Sequence, residues 1–492
     1  MGNTEGGELK PKLAKKAGAS THTLGRISES LARKFPFEPT SGQLALFQAT
    51  EEWLSRKEKG RHTFILRGYA GTGKTAFLGS LVKVLPLIPM KVQLMAPTGR
   101  ASKVISSHTG KMALTLHKRI FRFEPDQNGL AKLVRQKNSA SGTLFVVDEA
   151  SMLGNQSEFG TKGILEELIR FVFEDESNRL LIIGDAAQLP PVGTDLSPAL
   201  KPEYMTSTFG LEVLGYELTE VVRQEADSGI LENATRLREI IRQGEGTFKL
   251  STAGNPDIYT MAPARILEGI SYAYEKYGIE RTLVITRSNK QANRYNKAIR
   301  GQVLYREEEV ESGDWIIVVK NNYAQGEGSN SFIANGELGM VGRVGRSSED
   351  YPLRVSRLEI GFPESGEENA SEYLAFLDLL YSDLPQLEEK QIKEYQDVLL
   401  SEWGEEEKDM RKRWKRLRAD PMANALQIKF GYALTCHKAQ GGQWDAVFVD
   451  HGFLRETEPD REFYRWLYTA FTRAKKELFI IGPDKSLLNQ AE

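Results

Sequence analysis

The sequence predicts an α/β protein of two parallel-sheet lobes, with a hairpin inserted in the first lobe and a small β-barrel and helical arm inserted in the second. Short apolar, β-branched runs alternate with helix-like stretches towards both ends of the chain. Several of these runs break into glycine-rich or acidic turns, whereas the segment between the two ends holds short strand-like pieces separated by glycine turns. At 492 residues the chain exceeds the size of one hydrophobic core, so several domains are expected.

Composition narrows the class. With 40% hydrophobic and 27% charged residues, and no apolar run near the roughly 20 residues of a membrane span, a soluble cytoplasmic protein is expected. The opening residues, 1–34, lack the apolar stretch of a secretory signal and are expected to form a flexible lead-in. Met1-Gly2 begins like an acylation site, but Gly6 stands where Ser or Thr is needed. The single cysteine, Cys436, cannot form an internal disulfide and fits a reducing compartment. The net charge of -2 is unevenly spread. Between Glu364 and Asp409 lie 15 acidic and three basic residues, leaving 52 acidic against 62 basic elsewhere. That excess permits binding to a phosphate backbone without requiring it.

Taken in chain order, the first strand-like run is Thr63 to Leu66, followed by Gly68-Tyr69-Ala70-Gly71-Thr72-Gly73-Lys74-Thr75. This is a complete phosphate-loop pattern in its required strand-to-helix setting. Its glycines let backbone N–H groups face phosphate oxygens, and the helix opening at Lys74 adds its positive end. Lys74 is expected on the outer phosphates of a nucleoside triphosphate, with Gly71, Thr72 and Gly73 cradling it and Thr75 on magnesium. Arg119 to Glu124 alternates in residue type and meets an Asn-Gly turn at Asn128-Gly129, which predicts a hairpin. Thr143 to Val147 ends in Asp148-Glu149, placing paired carboxylates at a strand's carboxyl end, Asp148 for magnesium and Glu149 to orient and deprotonate the attacking water. Arg179 to Ile183 breaks into Gly184-Asp185-Ala186-Ala187-Gln188-Leu189-Pro190-Pro191, a loop stiffened by paired prolines in which Gln188 could sense the terminal phosphate. Arg223 and Arg473 are too distant in sequence to be local partners of Lys74. Either could reach the nucleotide only at a domain seam, and a surface ion pair is the alternative for each. The runs Thr282 to Thr286, Asp445 to Val449 and Glu477 to Ile481 supply a second parallel sheet. Asp314 to Lys320, Asn335 to Val341 and Leu353 to Val355 are expected as barrel strands, and the acidic stretch from Ser371 to Asp409 as a helical arm ending in Arg411 to Arg418.

These residues, in this order, resemble the helicase motifs of superfamily 1, and specifically its B branch of RecD-like and Dda-like DNA helicases. The resemblance runs from about Phe37 to Gly482. Phe37 to Gln43 is similar to the Q motif, Ala96 to Ala101 to motif Ia, Thr115-Leu116-His117 to motif Ib, Tyr432 to Gly441 to motif V and Tyr468 to Ala474 to motif VI. It implies RecA-like domains at 35–215 and at 216–300 with 423–492. It also implies a pin insertion at 118–142, and a Src-homology-3-like barrel at 301–422 whose arm, about 366–418, braces it against the pin-bearing lobe. By the same resemblance Gln43 would read the adenine, Gln188 and Arg223 the terminal phosphate, Gly441 would line the nucleotide site and Arg473 would be the arginine finger. Pro97, Thr98, Arg100, Thr115, His117, Thr435, His437 and Lys438 would face single-stranded DNA, and Phe121 or Phe123 would cap a base pair at the pin. Gln43 also has capping-box spacing with Thr40, and the hairpin phenylalanines could equally pack onto their lobe. One departure stands out: Gly442-Gln443-Trp444 follows Gly441 where relatives often carry Ser-Glu.

The implied cofactors are ATP and magnesium. The implied partners are single-stranded DNA and forked duplex DNA, with RNA as the other candidate polymer, for a monomer that meets replication or recombination proteins and no membrane. The implied activity is 5′ to 3′ translocation and unwinding in replication, recombination or repair. An ATP-switched clamp that does not unwind and an unrelated phosphate-loop phosphotransferase are the competing classes.

Overall fold

The computed structural model describes residues 25–125, 131–155, 162–221, 228–252, 254–322, 325, 333–363, 370–452 and 459–488. The first lobe contains strands β1 (His62–Gly68), β2 (Lys91–Ala96) and β3 (Ala113–Thr115), the hairpin β4 (Phe121–Pro125) and β5 (Ala131–Arg135), then β6 (Thr143–Val147), β7 (Arg179–Gly184) and β8 (Glu212–Leu218). Its six-stranded sheet runs β3-β2-β6-β7-β1-β8, with every pairing parallel. β6 and β7 are buried along their whole length, which is why both read as unbroken apolar runs rather than alternating ones.

The second lobe contributes β9 (Ile258–Met261) and β10 (Thr282–Thr286). The chain then leaves for a closed barrel of β11 (Trp315–Val318), β12 (Leu338–Ser348), β13 (Val355–Gly361), β14 (Ser371–Phe376) and β15 (Leu426–Phe430). It returns as β16 (Ala433–Thr435), β17 (Trp444–Asp450) and β18 (Ala474–Ile481), completing a parallel sheet ordered β16-β10-β17-β18-β9. A buried ion pair seats the barrel on this lobe. Arg300 donates to both oxygens of Asp314 at 2.9 Å, and Tyr432 donates to the same carboxylate at 2.8 Å while accepting from the Trp315 N–H. Arg306 stands 3.5 Å from the same carboxylate, so removing Asp314 would leave Arg300 uncompensated in the core, and the cluster fixes the barrel's seat.

Several boundaries differ from those expected. The lead-in ends in an ordered helix, Arg26–Lys34, whose Leu31 is wholly buried. Its first amides are capped by the buried carboxylate of Glu51, which accepts from the N–H groups of Ile27 and Ser28 at 3.1 Å each. A cap borrowed from another helix leaves no local signature. The first lobe runs on through β8, because that strand pairs with β1 and not with the second sheet. The arm is helical only from Glu389, as Glu389–Glu406 and Met410–Ala419. Ser371–Phe376, expected in it, is instead a barrel strand whose Tyr373 and Ala375 point inward, while Glu372 pairs with Arg357 at 2.9 Å. Acidic composition concealed that alternation. The arm packs on the barrel through Tyr395, which meets Phe376 and Tyr351 edge-on. β13 begins at Val355, so Leu353 and Arg354 precede it.

Candidate nucleotide site at the lobe seam

β1 delivers the phosphate loop at its carboxyl end, and the helix Lys74–Val84 follows directly. Gly71 and Gly73 adopt left-handed backbone angles of φ 76° and 91°. At Gly73 a side chain is also excluded by space, since an added Cβ would lie 2.7 Å from the Gln43 amide nitrogen. Lys74 donates to the carbonyls of Gly68 at 2.7 Å and Tyr69 at 2.8 Å, and its ammonium stands 3.9 Å from the Asp185 carboxylate. The first amides of the helix have no intrahelical acceptor and share the loop's concave face. Gln43 forms the capping box with Thr40 and donates its other amide group to the Thr72 carbonyl at 3.0 Å. Both ends of its amide are therefore engaged, the oxygen in the helix cap and the nitrogen on the loop, which leaves neither free to read an adenine edge. Thr75 occupies the second position of the helix, beside Lys74.

The paired carboxylates follow β6. Asp148 accepts from the Glu149 N–H at 2.8 Å, and burial together with the Glu149 charge holds its carboxyl above the usual range, with Lys74 opposing. Glu149 has φ 54° and ψ 36°, a left-handed conformation that costs a non-glycine residue about 1–3 kcal/mol. The fold thus spends strain to aim this one carboxylate.

Arg473 comes from the far end of the chain into this same place. It is buried, with its Nε donating to the Thr469 carbonyl at 3.0 Å and one terminal nitrogen to the Gly442 carbonyl at 3.1 Å. Ser151 is bonded to the Gln188 amide in either of its orientations, whereas Glu149 and Arg473 are matched only when the amide nitrogen faces the carboxylate and its oxygen the guanidinium. In that orientation Gln188 donates to Glu149 at 3.3 Å and to Ser151 at 3.1 Å, and accepts from Arg473 at 3.0 Å. A single side chain therefore joins the first lobe's carboxylate to the second lobe's guanidinium. The rest of the Gln188 loop is stitched to the second lobe as well. Leu189 N–H donates to Thr469 at 2.8 Å, Leu189 O accepts from Gln440 at 2.7 Å and Gln188 O accepts from Arg465 at 3.3 Å. Arg223 lies outside the described residues.

Residues expected on a nucleic acid divide into groups. Pro97 and His117 line one cleft together with Leu116, Met152 and Pro191 of the stiff loop. Thr98 and Thr115 cap the helices that follow β2 and β3, their hydroxyls accepting from Ala101 and Lys118 at 3.2 Å. Thr435 ends β16 and His437 and Lys438 follow it, and burial pushes the Lys438 ammonium down to about 8. Three placements differ from expectation. Phe121 is buried in the first lobe's core, in the same apolar cluster as Ile120 and Phe145 and 5.8 Å from the His117 ring. Arg100 reaches across the seam to the second lobe, donating to the Gln443 carbonyl at 3.2 Å. Gly441, expected beside the nucleotide, lies against Thr98 and Ala101. The hairpin tip, 126–130, and the side chain of Phe123 lie outside the described residues.

Asp185 and Tyr468 lie in the Gly184 loop and the motif VI segment but are not among the expected site residues. The buried Tyr468 hydroxyl donates to Asp185 at 2.6 Å and accepts from the phosphate-loop N–H of Ala70 at 2.8 Å. Its position one helical turn before Thr472, on a helix that also carries Arg465 and Thr469, was the available signal. Tyr468→Phe is expected to lower stability by about 2 kcal/mol, because it leaves both partners buried without their hydrogen bond. An unchanged urea midpoint would show that the hydroxyl bonds nothing of consequence.

A phosphate loop, a half-buried carboxylate pair and a guanidinium from a second parallel-sheet lobe define a two-lobed nucleotide-binding protein. Residues 40–247 match the AAA domain family model and residues 430–481 the UvrD-like helicase C-terminal domain. The chain is 26% identical over 434 residues to the ATP-dependent RecD2 DNA helicase of Deinococcus radiodurans, covering 86% of this chain and 47% of that protein. It is 28% identical over 203 residues to the ATP-dependent DNA helicase dda of Enterobacteria phage T4, covering 40% and 42%. The chain thus spans about half the length of these curated relatives. A solved structure of Pif1 helicases at forked double-stranded DNA is similar over 92% of this chain and 94% of that one, with 15% identity and a TM-score of 0.45. The chain is similar to these helicases in both of its lobes. Among the described residues no helix is long and apolar enough to cross a membrane.

Proposed function

We propose that this chain is an ATP-dependent DNA helicase that hydrolyses ATP to move along single-stranded DNA, 5′ to 3′, and separates duplex DNA in replication, recombination or repair. The observation that carries this reading is the Glu149–Gln188–Arg473 bridge, which ties the groups for water activation and charge stabilisation to opposite lobes. Hydrolysis in such a seam is coupled to lobe movement by construction, because the guanidinium can serve the terminal phosphate only while the lobes are together. The RecD2 and dda relatives are both ATP-dependent DNA helicases, which supports the same reading.

In this scheme Lys74 and the loop amides hold the outer phosphates, Glu149 orients and deprotonates water, Gln188 reports the terminal phosphate and Arg473 neutralises developing charge. Arg223 would add a second cation from the adjoining segment, and Gln43 would bound the adenine side. Magnesium fits the donor set. Asp148 and Glu149 are adjacent half-buried carboxylates at the carboxyl end of β6, close to Lys74 and to the helix start that carries Thr75. Thr75 and Asp148 would hold the ion, which would offset charge on the phosphate oxygens. A strand would cross the ends of β2, β3 and β16, over Pro97, Thr98, Thr115, His117, Thr435, His437 and Lys438. Alternate opening and closing of the seam would then move it.

The test is ATP turnover and strand separation measured side by side on forked DNA and forked RNA carrying either a 5′ or a 3′ single-stranded tail. The expected result is oligonucleotide-stimulated turnover with separation of the DNA fork bearing a 5′ tail. Stimulated turnover without separation of any fork would establish the clamp instead, and turnover indifferent to nucleic acid would leave a phosphotransferase.

A further inference from the structure

The departure at Gly442-Gln443-Trp444 acquires a physical meaning at the seam. The Trp444 ring is buried, and the Arg100 guanidinium of the first lobe lies over it, 3.8 Å from the ring centroid. Arg100 also donates to the Gln443 carbonyl at 3.2 Å, so both faces of its chemistry, planar cation and directed donor, are spent on this one segment. Gly442 is required there. A Cβ at that position would stand 2.6 Å from the Trp444 ring and 2.7 Å from Arg100 Cδ and Nε. Arg100 sits in the first turn of the helix Gly99–Thr109, where the helix dipole disfavours a cation, and the aromatic face across the seam offsets that placement.

The clamped segment is the one that seats the finger. The Gly442 carbonyl accepts from the Arg473 guanidinium at 3.1 Å, and the Trp444 N–H donates to the Arg473 carbonyl at 2.9 Å. Arg473 is thereby held at its side chain and at its backbone by residues that Arg100 holds in turn. The same helix start carries Thr98, which meets Gly441 across the seam: a Cβ on Gly441 would lie 3.0 Å from the Thr98 hydroxyl.

We propose that Arg100 and Trp444 form an interlobe clamp that positions Arg473, so that the finger is seated when a strand engages the start of the helix Gly99–Thr109. The proposal rests on the helicase reading above. Arg100 and Trp444 act through Arg473 and are positioning residues, so they govern the rate of the chemical step and not the affinity for nucleotide.

The test uses the full chain with Arg100→Lys, Trp444→Phe and Trp444→Ala. It measures kcat and KM for ATP with and without a saturating oligonucleotide, strand affinity by fluorescence anisotropy, and thermal melting. Arg100→Lys keeps the charge but loses the planar face. It is expected to lower strand-stimulated kcat about tenfold, the scale of a desolvated cation–π contact, with strand affinity and KM for ATP within about twofold of wild type. Trp444→Ala should match it, and Trp444→Phe should recover most of the rate. If Trp444→Ala melts early, Arg100→Lys decides. Full stimulation in Arg100→Lys would overturn the clamp, and so would a loss confined to strand affinity, which would make Arg100 a phosphate contact. Wild-type protein without strand-stimulated turnover would instead refute the helicase reading. Stimulated wild type with unchanged variants would refute the clamp alone.

Discussion

Replacing Arg473 with alanine is expected to lower strand-stimulated ATP turnover by about 10³-fold or more, the scale on which an arginine finger acts. The side chain is buried at the seam, so its charge is little screened, and the pocket holds it by Thr469, Gly442, Thr472 and Gln188 before any phosphate is considered. Alanine removes the cation and also releases Gln188 from its second-lobe partner, so the Glu149 carboxylate loses its orienting amide as well. Nucleotide affinity should change far less, because the phosphate loop and Lys74 are untouched. Lysine at this position should recover little, since one ammonium cannot reproduce a fork that donates to Gly442 and Gln188 together. Single-turnover hydrolysis with saturating oligonucleotide separates these effects. Turnover within tenfold of wild type would mean that the guanidinium is structural and that the lobes do not share the chemistry.

The second large effect falls on Lys74. Lys74→Ala should abolish measurable turnover, a loss of about 10³-fold or more, and should weaken nucleotide binding as well. Its ammonium is the cation facing both the Asp148–Glu149 pair and the buried Asp185. Without it two half-buried carboxylates and the buried Asp185 share a site, and a triphosphate would add further negative charge. The two variants should therefore part company in a binding assay: Arg473→Ala retains a fluorescent nucleotide and Lys74→Ala does not. Retention by both would place the phosphates somewhere other than this loop.

The catalytic strand ends were legible because each carries its chemistry in consecutive residues. Apolar runs ending in Gly68 to Thr75, Asp148-Glu149 and Gly184-Asp185 declare buried parallel strands and the loops at their carboxyl ends. The barrel's existence was legible from its glycine turns, but the strand Ser371–Phe376 was hidden by the acidic residues around it. The helix Arg26–Lys34 escaped notice because Glu51, 23 and 24 residues away, supplies its cap. The hairpin was readable from alternation, yet whether Phe121 faced outward or inward depended on the neighbours its strand would meet.

What the sequence determined by itself is the chemistry of the parts: a phosphate loop, a carboxylate pair, a stiff loop bearing Gln188, and a distant arginine in a helix-ending motif. These are local properties, set by residue type and spacing along a few turns of backbone. Which groups meet was decided only by the tertiary structure. The Gln188 bridge, the Tyr468 hydroxyl between Asp185 and the phosphate loop, and the Arg100–Trp444 stack each join residues roughly 280 to 400 positions apart. Hydrogen bonds and ring contacts act over a few ångströms, so their partners are chosen by how two sheets pack against each other and not by any pattern along the chain.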